Sequence, residues 1–207
     1  MLYLSKHIDK YKPIEMEKHF TTPDQSRLDS IKLGEKVIKD GFKPDYLVAI
    51  WRYGAVIGCY IHELLKYVYQ TPVDHIAIRT SRYINPTTTL SSVQVHNLGY
   101  LVERLKSDSK VLLVDDVYDS GLSIKAVFDE LAKRLGTNMP TDIRVATVDY
   151  KPQNNKTDRV PDYYVNITSK WLVFPHELEG LSIKEIEDNM SPEIANIVQS
   201  CLDYQNK

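Results

Sequence analysis

The sequence predicts an α/β fold, a mainly parallel sheet flanked by helices, and three features of its patterning predict it. Short apolar runs at Tyr46–Ile50, Val111–Val114 and Ile143–Val148 read as buried strands. Segments with apolar residues at helical spacing alternate with them, at Ala55–Tyr69 and Leu122–Leu135. Strand–helix alternation of this kind requires crossover connections, and these place helices on both faces of a parallel sheet.

Each element has its own local signal. Thr22-Pro23-Asp24-Gln25 opens a helix, with Thr as cap, Pro at the first helical position and Gln three residues after the cap. Leu28, Ile31, Val37 and Ile38 then share roughly one face, and Gly41 ends it. After Arg52-Tyr53-Gly54, the residues Val56, Ile57, Ile61, Leu64 and Val68 give Ala55–Tyr69 an apolar stripe. Asp74–Arg79 reads as a short strand. Ser81–His96 has no period and carries Pro86, Thr87, Thr88 and Thr89, so a β-hairpin and a mobile loop both fit it. In the helix Leu122–Leu135, the residues Ile124, Val127, Phe128, Leu131 and Leu135 face one way, and Gly136 closes it. Tyr163–Ile167 and Trp171–Phe174 are strand-like, and Ser191–Tyr204 starts as a terminal helix.

Composition bounds the function. The chain has 207 residues, which favours a single domain spanning 1–207, and the segment 151–181 reads as a small hood on the sheet. Its 26 basic and 28 acidic residues give a formal charge of −2, which supplies no broad drive towards nucleic acid or an anionic membrane. Cys59 and Cys201 form no metal or redox spacing, and His62, His75 and His96 have no metal-ligand spacing. No apolar run approaches a membrane span, and the start lacks a signal-peptide core, so a cytoplasmic protein is the expectation.

One segment concentrates chemistry. In Val111–Ser123 an apolar strand meets two carboxylates, Asp115 and Asp116, and Val117-Tyr118 leads into Asp119-Ser120-Gly121-Leu122-Ser123 at the start of a helix. Helix N-terminal N–H groups suit a phosphate, Gly121 permits close backbone approach, and Ser120 and Ser123 offer hydroxyls. The plainer role for these acids is helix capping.

That string resembles the phosphoribosyl-pyrophosphate signature of the type I phosphoribosyltransferases. The resemblance implies that fold, with Asp115 and Asp116 at the ribose hydroxyls and Asp119–Ser123 around the 5′-phosphate. It also implies Mg²⁺, held at or near Asp115 and Asp116, and Asp119 as the general base. Val48–Gly58 resembles the family's pyrophosphate turn through Arg52, Tyr53 and Gly54, with Tyr53 where a small residue is usual and where the family often has an unusual peptide geometry. Tyr150-Lys151-Pro152, Pro161–Val165 and Lys170–Glu177 resemble the hood of the xanthine/guanine/hypoxanthine enzymes. By that resemblance Lys151 binds the purine 6-oxo group, Trp171 stacks on the base and Leu172 reads its edge. The physical sense is plain: a flat ring gains from stacking and a carbonyl from an ammonium donor. Arg79 and Arg82 would flank a loop closing over pyrophosphate.

The function so implied is transfer of a phosphoribosyl group from phosphoribosyl pyrophosphate to a 6-oxopurine, in a homodimer or homotetramer. A regulatory nucleotide-binding protein of the same fold is the alternative. A receiver-like domain, or a transferase for adenine, uracil or orotate, accounts for fewer of the quoted residues.

Overall fold

The structure, a computed structural model, describes residues 17–84 and 91–205. They fall into two compact units, 23–169 and a smaller one made of 17–22 with 170–205. The boundary at Lys170 runs through the segment 151–181 that the sequence assigns to a hood.

The larger unit is a six-stranded sheet. In chain order it contains α1 (Pro23–Lys39), β2 (Tyr46–Trp51), α2 (Tyr53–Tyr69), β3 (Asp74–Ile84), β4 (Ser91–His96), α3 (Gly99–Arg104), β5 (Lys110–Tyr118), α4 (Leu122–Leu135), β6 (Asp142–Tyr150) and β7 (Tyr163–Ile167). The label β1 is kept for Lys18–Phe20 in the smaller unit. The strand order is β4-β3-β2-β5-β6-β7. All pairings are parallel except β3 with β4, an antiparallel pair that registers Arg79 with His96 and Ser81 with Gln94. The hairpin reading of 81–96 therefore holds for its two arms. Residues 85–90, with Pro86–Thr89, lie outside the described residues, as does the side chain of Arg82.

The central strands are buried on both faces, which explains their continuous apolar runs: Leu47–Ile50 and Val111–Val114 are all 5% exposed or less. One core joins Val48, Ile50, Val111, Leu113, Ile143 and Val145 to Ile124, Val127, Leu131 and Leu135 of α4, the face expected for that helix. Two expectations need correction. The strand holding Val111–Val114 does not end at the carboxylates. It runs on through Asp115 and Asp116 to Tyr118, because β6 continues beside it and pairs Val117 with Asp149 and Tyr118 with Tyr150. The buried stripe of α1 is also rotated from the expected one. Ser26, Asp29, Ser30, Leu33 and Val37 are inside, while Leu28 is half-exposed.

The smaller unit pairs β1 in parallel with β8 (Trp171–Val173), matching Lys18 with Trp171 and Phe20 with Val173. It ends in α5 (Ile183–Asn189) and α6 (Pro192–Gln205). The helix α5 begins with a capping box in which Ser182 and Glu185 each bond the other's backbone N–H. Lys18 Nζ lies 2.6 Å from Glu185 Oε1 and, with Ser182, holds that carboxyl down at about 2.

Candidate active site

Parallel strands present their ligand-binding edge at their C-terminal ends, where helix N-termini also converge. Here β2 ends at Trp51 and β5 at Tyr118, and the helices α2 and α4 start beside them. The two turns touch closely: a side chain at Gly54 would lie 2.9 Å from the Val114 carbonyl oxygen and 3.0 Å from Asp115 Cα. Glycine is what lets the start of α2 sit against the carboxylate end of β5.

In the α2 turn the Trp51–Arg52 peptide bond is cis. Arg52 is exposed at the N-cap position and no side chain caps that helix. Tyr53, expected with Arg52 and Gly54 in a pyrophosphate turn, sends its side chain elsewhere. It is buried, and its hydroxyl donates to Ser26 Oγ of α1 at 2.8 Å. Arg79 is exposed on β3, in register with Trp51.

On β5, Asp115 Oδ1 accepts from the Asp116 backbone N–H at 2.9 Å, and Asp116 Oδ1 from the Val117 N–H at 2.7 Å. Burial, and then the neighbouring Asp116 charge, push the Asp115 carboxyl well above its ordinary range. A cation here would reverse that preference. Among the described residues no group of three or more His, Cys, Asp or Glu side chains is placed to hold a metal ion. Two adjacent carboxylates nonetheless fit a magnesium ion that takes its other oxygens from substrate and water.

The loop before α4 is shaped by one residue. Gly121 has φ +73°, and a side chain there would lie 2.6 Å from the Tyr118 hydroxyl and 2.7 Å from Thr157 Oγ1. Gly121→Ala is therefore expected to cost about 2 kcal/mol from the left-handed backbone alone, with the collision added to it. Urea unfolding measures this, and an unchanged midpoint would contradict it.

Capping, the plainer role for Asp119, is not what the structure shows. At the start of α4 it is Ser120 Oγ that accepts from the Leu122 N–H, at 3.4 Å, and Asp119 Oδ1 accepts instead from Asn154 Nδ2 at 2.7 Å. The other oxygen lies 3.8 Å from Lys151 Nζ. Lys151 is brought there because β5 and β6 run in register to their ends, after which the Lys151 N–H donates to the Tyr118 carbonyl at 2.9 Å. Ser120 is tied into the same loop: its carbonyl accepts from the Lys156 N–H at 3.0 Å. Leu122 is exposed and Ser123 half-buried at the helix start.

The larger unit thus gathers Arg52, Gly54, Asp115, Asp116, Asp119–Ser123 and Lys151 at one sheet edge. Trp171 and Leu172 belong to the smaller unit, where Trp171 is half-exposed and Leu172 buried on β8. Sequence reasoning missed Asn154, Asp149 and Asn166. Asn154 follows Lys151 by three residues in a short 3₁₀ turn that Pro152 starts, and that proline was the available signal.

The fold defines a class of α/β protein with a mainly parallel sheet, and comparison makes it specific. The chain belongs to the phosphoribosyl transferase domain family, whose model matches residues 24–181. A purine phosphoribosyltransferase from Pyrococcus horikoshii is similar at 27% identity and a TM-score of 0.61, over 81% of this chain and 98% of that one. A hypothetical protein from Neisseria gonorrhoeae with bound ppGpp shares the fold at 22% identity and a TM-score of 0.67, over 84% and 96% of the two chains. So does a Helicobacter pylori xanthine-guanine-hypoxanthine phosphoribosyltransferase, at 18% identity and a TM-score of 0.57, over 83% and 99%. No curated protein matches the chain. Among the described residues, no helix is long and apolar enough to cross a membrane.

Proposed function

We propose that this chain transfers the phosphoribosyl group of phosphoribosyl pyrophosphate to a 6-oxopurine, hypoxanthine, guanine or xanthine, giving the nucleoside 5′-monophosphate and pyrophosphate. The observation that carries the reading is the pair formed by Lys151 and Asp119, 3.8 Å apart beside the start of α4. A phosphate at that helix start places the attached ribose towards Asp115 and Asp116, and an acceptor base towards the acid and the ammonium.

In the reaction the bond from C1 of the ribose to the pyrophosphate oxygen breaks, and the electron pair leaves with pyrophosphate. A purine ring nitrogen forms the new bond to C1 and gives up its proton to Asp119. Positive charge grows on the ribose, and the carboxylates of Asp115 and Asp116 stabilise it. Arg52, with the backbone N–H groups of Tyr53 and Gly54, would hold the pyrophosphate. Magnesium at Asp115 and Asp116 would neutralise it when bound. Lys151 would hold the 6-oxo oxygen, Trp171 would stack on the ring and Leu172 would read its edge. We propose a homodimer or homotetramer acting in the cytoplasm, without nucleic acid.

The test is a panel of hypoxanthine, guanine, xanthine and adenine with phosphoribosyl pyrophosphate and Mg²⁺. Turnover of at least one oxopurine and little of adenine supports the reading. Donor binding without turnover of any base would instead favour a regulatory nucleotide-binding protein. Lys151→Met is expected to raise the oxopurine KM by tenfold or more, from loss of a charge-assisted hydrogen bond of about 1.5–3 kcal/mol, and to spare donor binding. An unchanged purine KM and turnover would remove Lys151 from the site.

A further inference from the structure

The turn that follows β6 straddles Asp119. On one side the Lys151 N–H donates to the Tyr118 carbonyl at 2.9 Å, and on the other the Lys156 N–H donates to the Ser120 carbonyl at 3.0 Å. Residues 151–156 are thereby tied to both chain neighbours of Asp119. The turn is also closed within itself. The Asn154 N–H donates to the Lys151 carbonyl at 3.0 Å and the Asn155 N–H to the Pro152 carbonyl at 3.3 Å, the pattern of the 3₁₀ turn that Pro152 starts. The side chains flanking Asn154 add to this: Gln153 Nε2 donates to the Thr168 carbonyl at 3.1 Å and Asn155 Nδ2 to the Arg159 carbonyl at 2.8 Å.

Two residues of the turn reach the two oxygens of one carboxylate. Asn154 Nδ2 donates to Asp119 Oδ1 at 2.7 Å, while Lys151 Nζ stands 3.8 Å from Oδ2. The bond from Asn154 is not what holds the turn, because four backbone bonds already do so. It is an exposed contact, and such a bond adds little to stability. Its effect falls on Asp119. A half-exposed carboxylate on a loop has several rotamers open to it. With Oδ1 taken by Asn154, one of them is selected, and Oδ2 is the oxygen presented on the Lys151 side.

The donor's chemistry suits that task. In the reaction proposed above, an N–H bond of the purine ring breaks and an O–H bond forms on Asp119. With the new proton on Oδ2, Oδ1 becomes the carbonyl oxygen of the acid and still accepts from Asn154. The bond therefore survives the transfer. A lysine or arginine at 154 would favour the ionised carboxylate much more strongly and oppose that protonation. A neutral amide orients the group with far less opposition.

We propose that Asn154 is a positioning residue for Asp119: its amide pins Oδ1 and so selects Oδ2 as the oxygen that takes the purine proton. This rests on the oxopurine reading for the role of Asp119. The contact itself is testable without turnover.

The experiment uses the full chain with Asn154→Ala, which removes the donor, and Asn154→Asp, which keeps the shape and has no donor at neutral pH. Single-turnover rates with an oxopurine are expected to fall about tenfold in the first and at least as far in the second, while the donor KM stays within about twofold. A double-mutant cycle then separates positioning from structure. In an Asp119→Asn background, Asn154→Ala is expected to change the rate by less than about twofold, because no base is left to position. A merely structural role would lower the rate in both backgrounds alike. A wild-type rate in Asn154→Asp, or a tenfold loss in the Asp119→Asn background, overturns the proposal. A wild-type protein that turns over no oxopurine overturns the proposed function instead. The contact is then read in ¹⁵N–¹H spectra, where the Nδ2 resonances of Asn154 are assigned by their loss in Asn154→Ala. Their movement in Asp119→Ala supports Asn154 as the partner that orients Asp119, and resonances that stay in place overturn it.

Discussion

Asp119→Asn is expected to lower turnover with an oxopurine by about 10²–10⁴-fold, the range for loss of a positioned general base, while donor affinity stays within about twofold. The substitution is close to isosteric, and an amide oxygen can still accept from Asn154, which Asp119 now does at 2.7 Å. The backbone path of the loop before α4 does not depend on the side chain. Gly121 sets the turn, and the Ser120 carbonyl is held by the Lys156 N–H. What disappears is the capacity to take a proton and the charge facing Lys151 at 3.8 Å. Single-turnover rates with saturating donor, set beside donor binding by calorimetry, separate these effects. Equal turnover in the two proteins would sink the assignment.

The fold was legible wherever its cause is local. The apolar runs of β2, β5 and β6 and the stripe of α4 reflect burial that neighbouring residues already announce. The strand–loop–helix segment was legible too, because a strand, a glycine and a helix start follow one another within thirteen residues, 111–123. What escaped was decided across the chain. Tyr53 was read as part of a ligand turn, and that its side chain answers Ser26, 27 residues earlier, no local pattern announced. That bond also accounts for the rotated face of α1, where serine and aspartate sit inside and Leu28 does not. Periodicity ranks apolar residues first and does not foresee a buried polar stripe. The strand β1 has three residues and exists through its pairing with β8, about 150 positions later, which no local pattern encodes. Lys151 was singled out by resemblance, but its neighbour Asn154 and the acid two residues before it acquire meaning only once β7 and α1 cover that end of the sheet.

Removal of Asp149 is expected to make the protein more stable near neutral pH and no more stable in acid. The sign follows from the direction of the shift. Burial holds its carboxyl at about 6 in the folded chain against 3.8 when free, so the folded form binds the proton more tightly. Below about pH 4 both forms are protonated and Asp149 costs nothing. Between about 4 and 6 the unfolded chain ionises first and stability falls, and above about 6 the full penalty of about 3 kcal/mol is present. Asp149→Asn cannot ionise, so its advantage over the parent in urea midpoint should grow across that window and level off above it. The comparison between variant and parent is the useful quantity. It cancels groups such as Glu185, whose carboxyl is held at about 2 and whose contribution is lost only in stronger acid. A constant difference from pH 4 to pH 8 would mean that Asp149 is not carrying a buried charge at all. A difference that opens through this window would show a residue retained against the interest of stability.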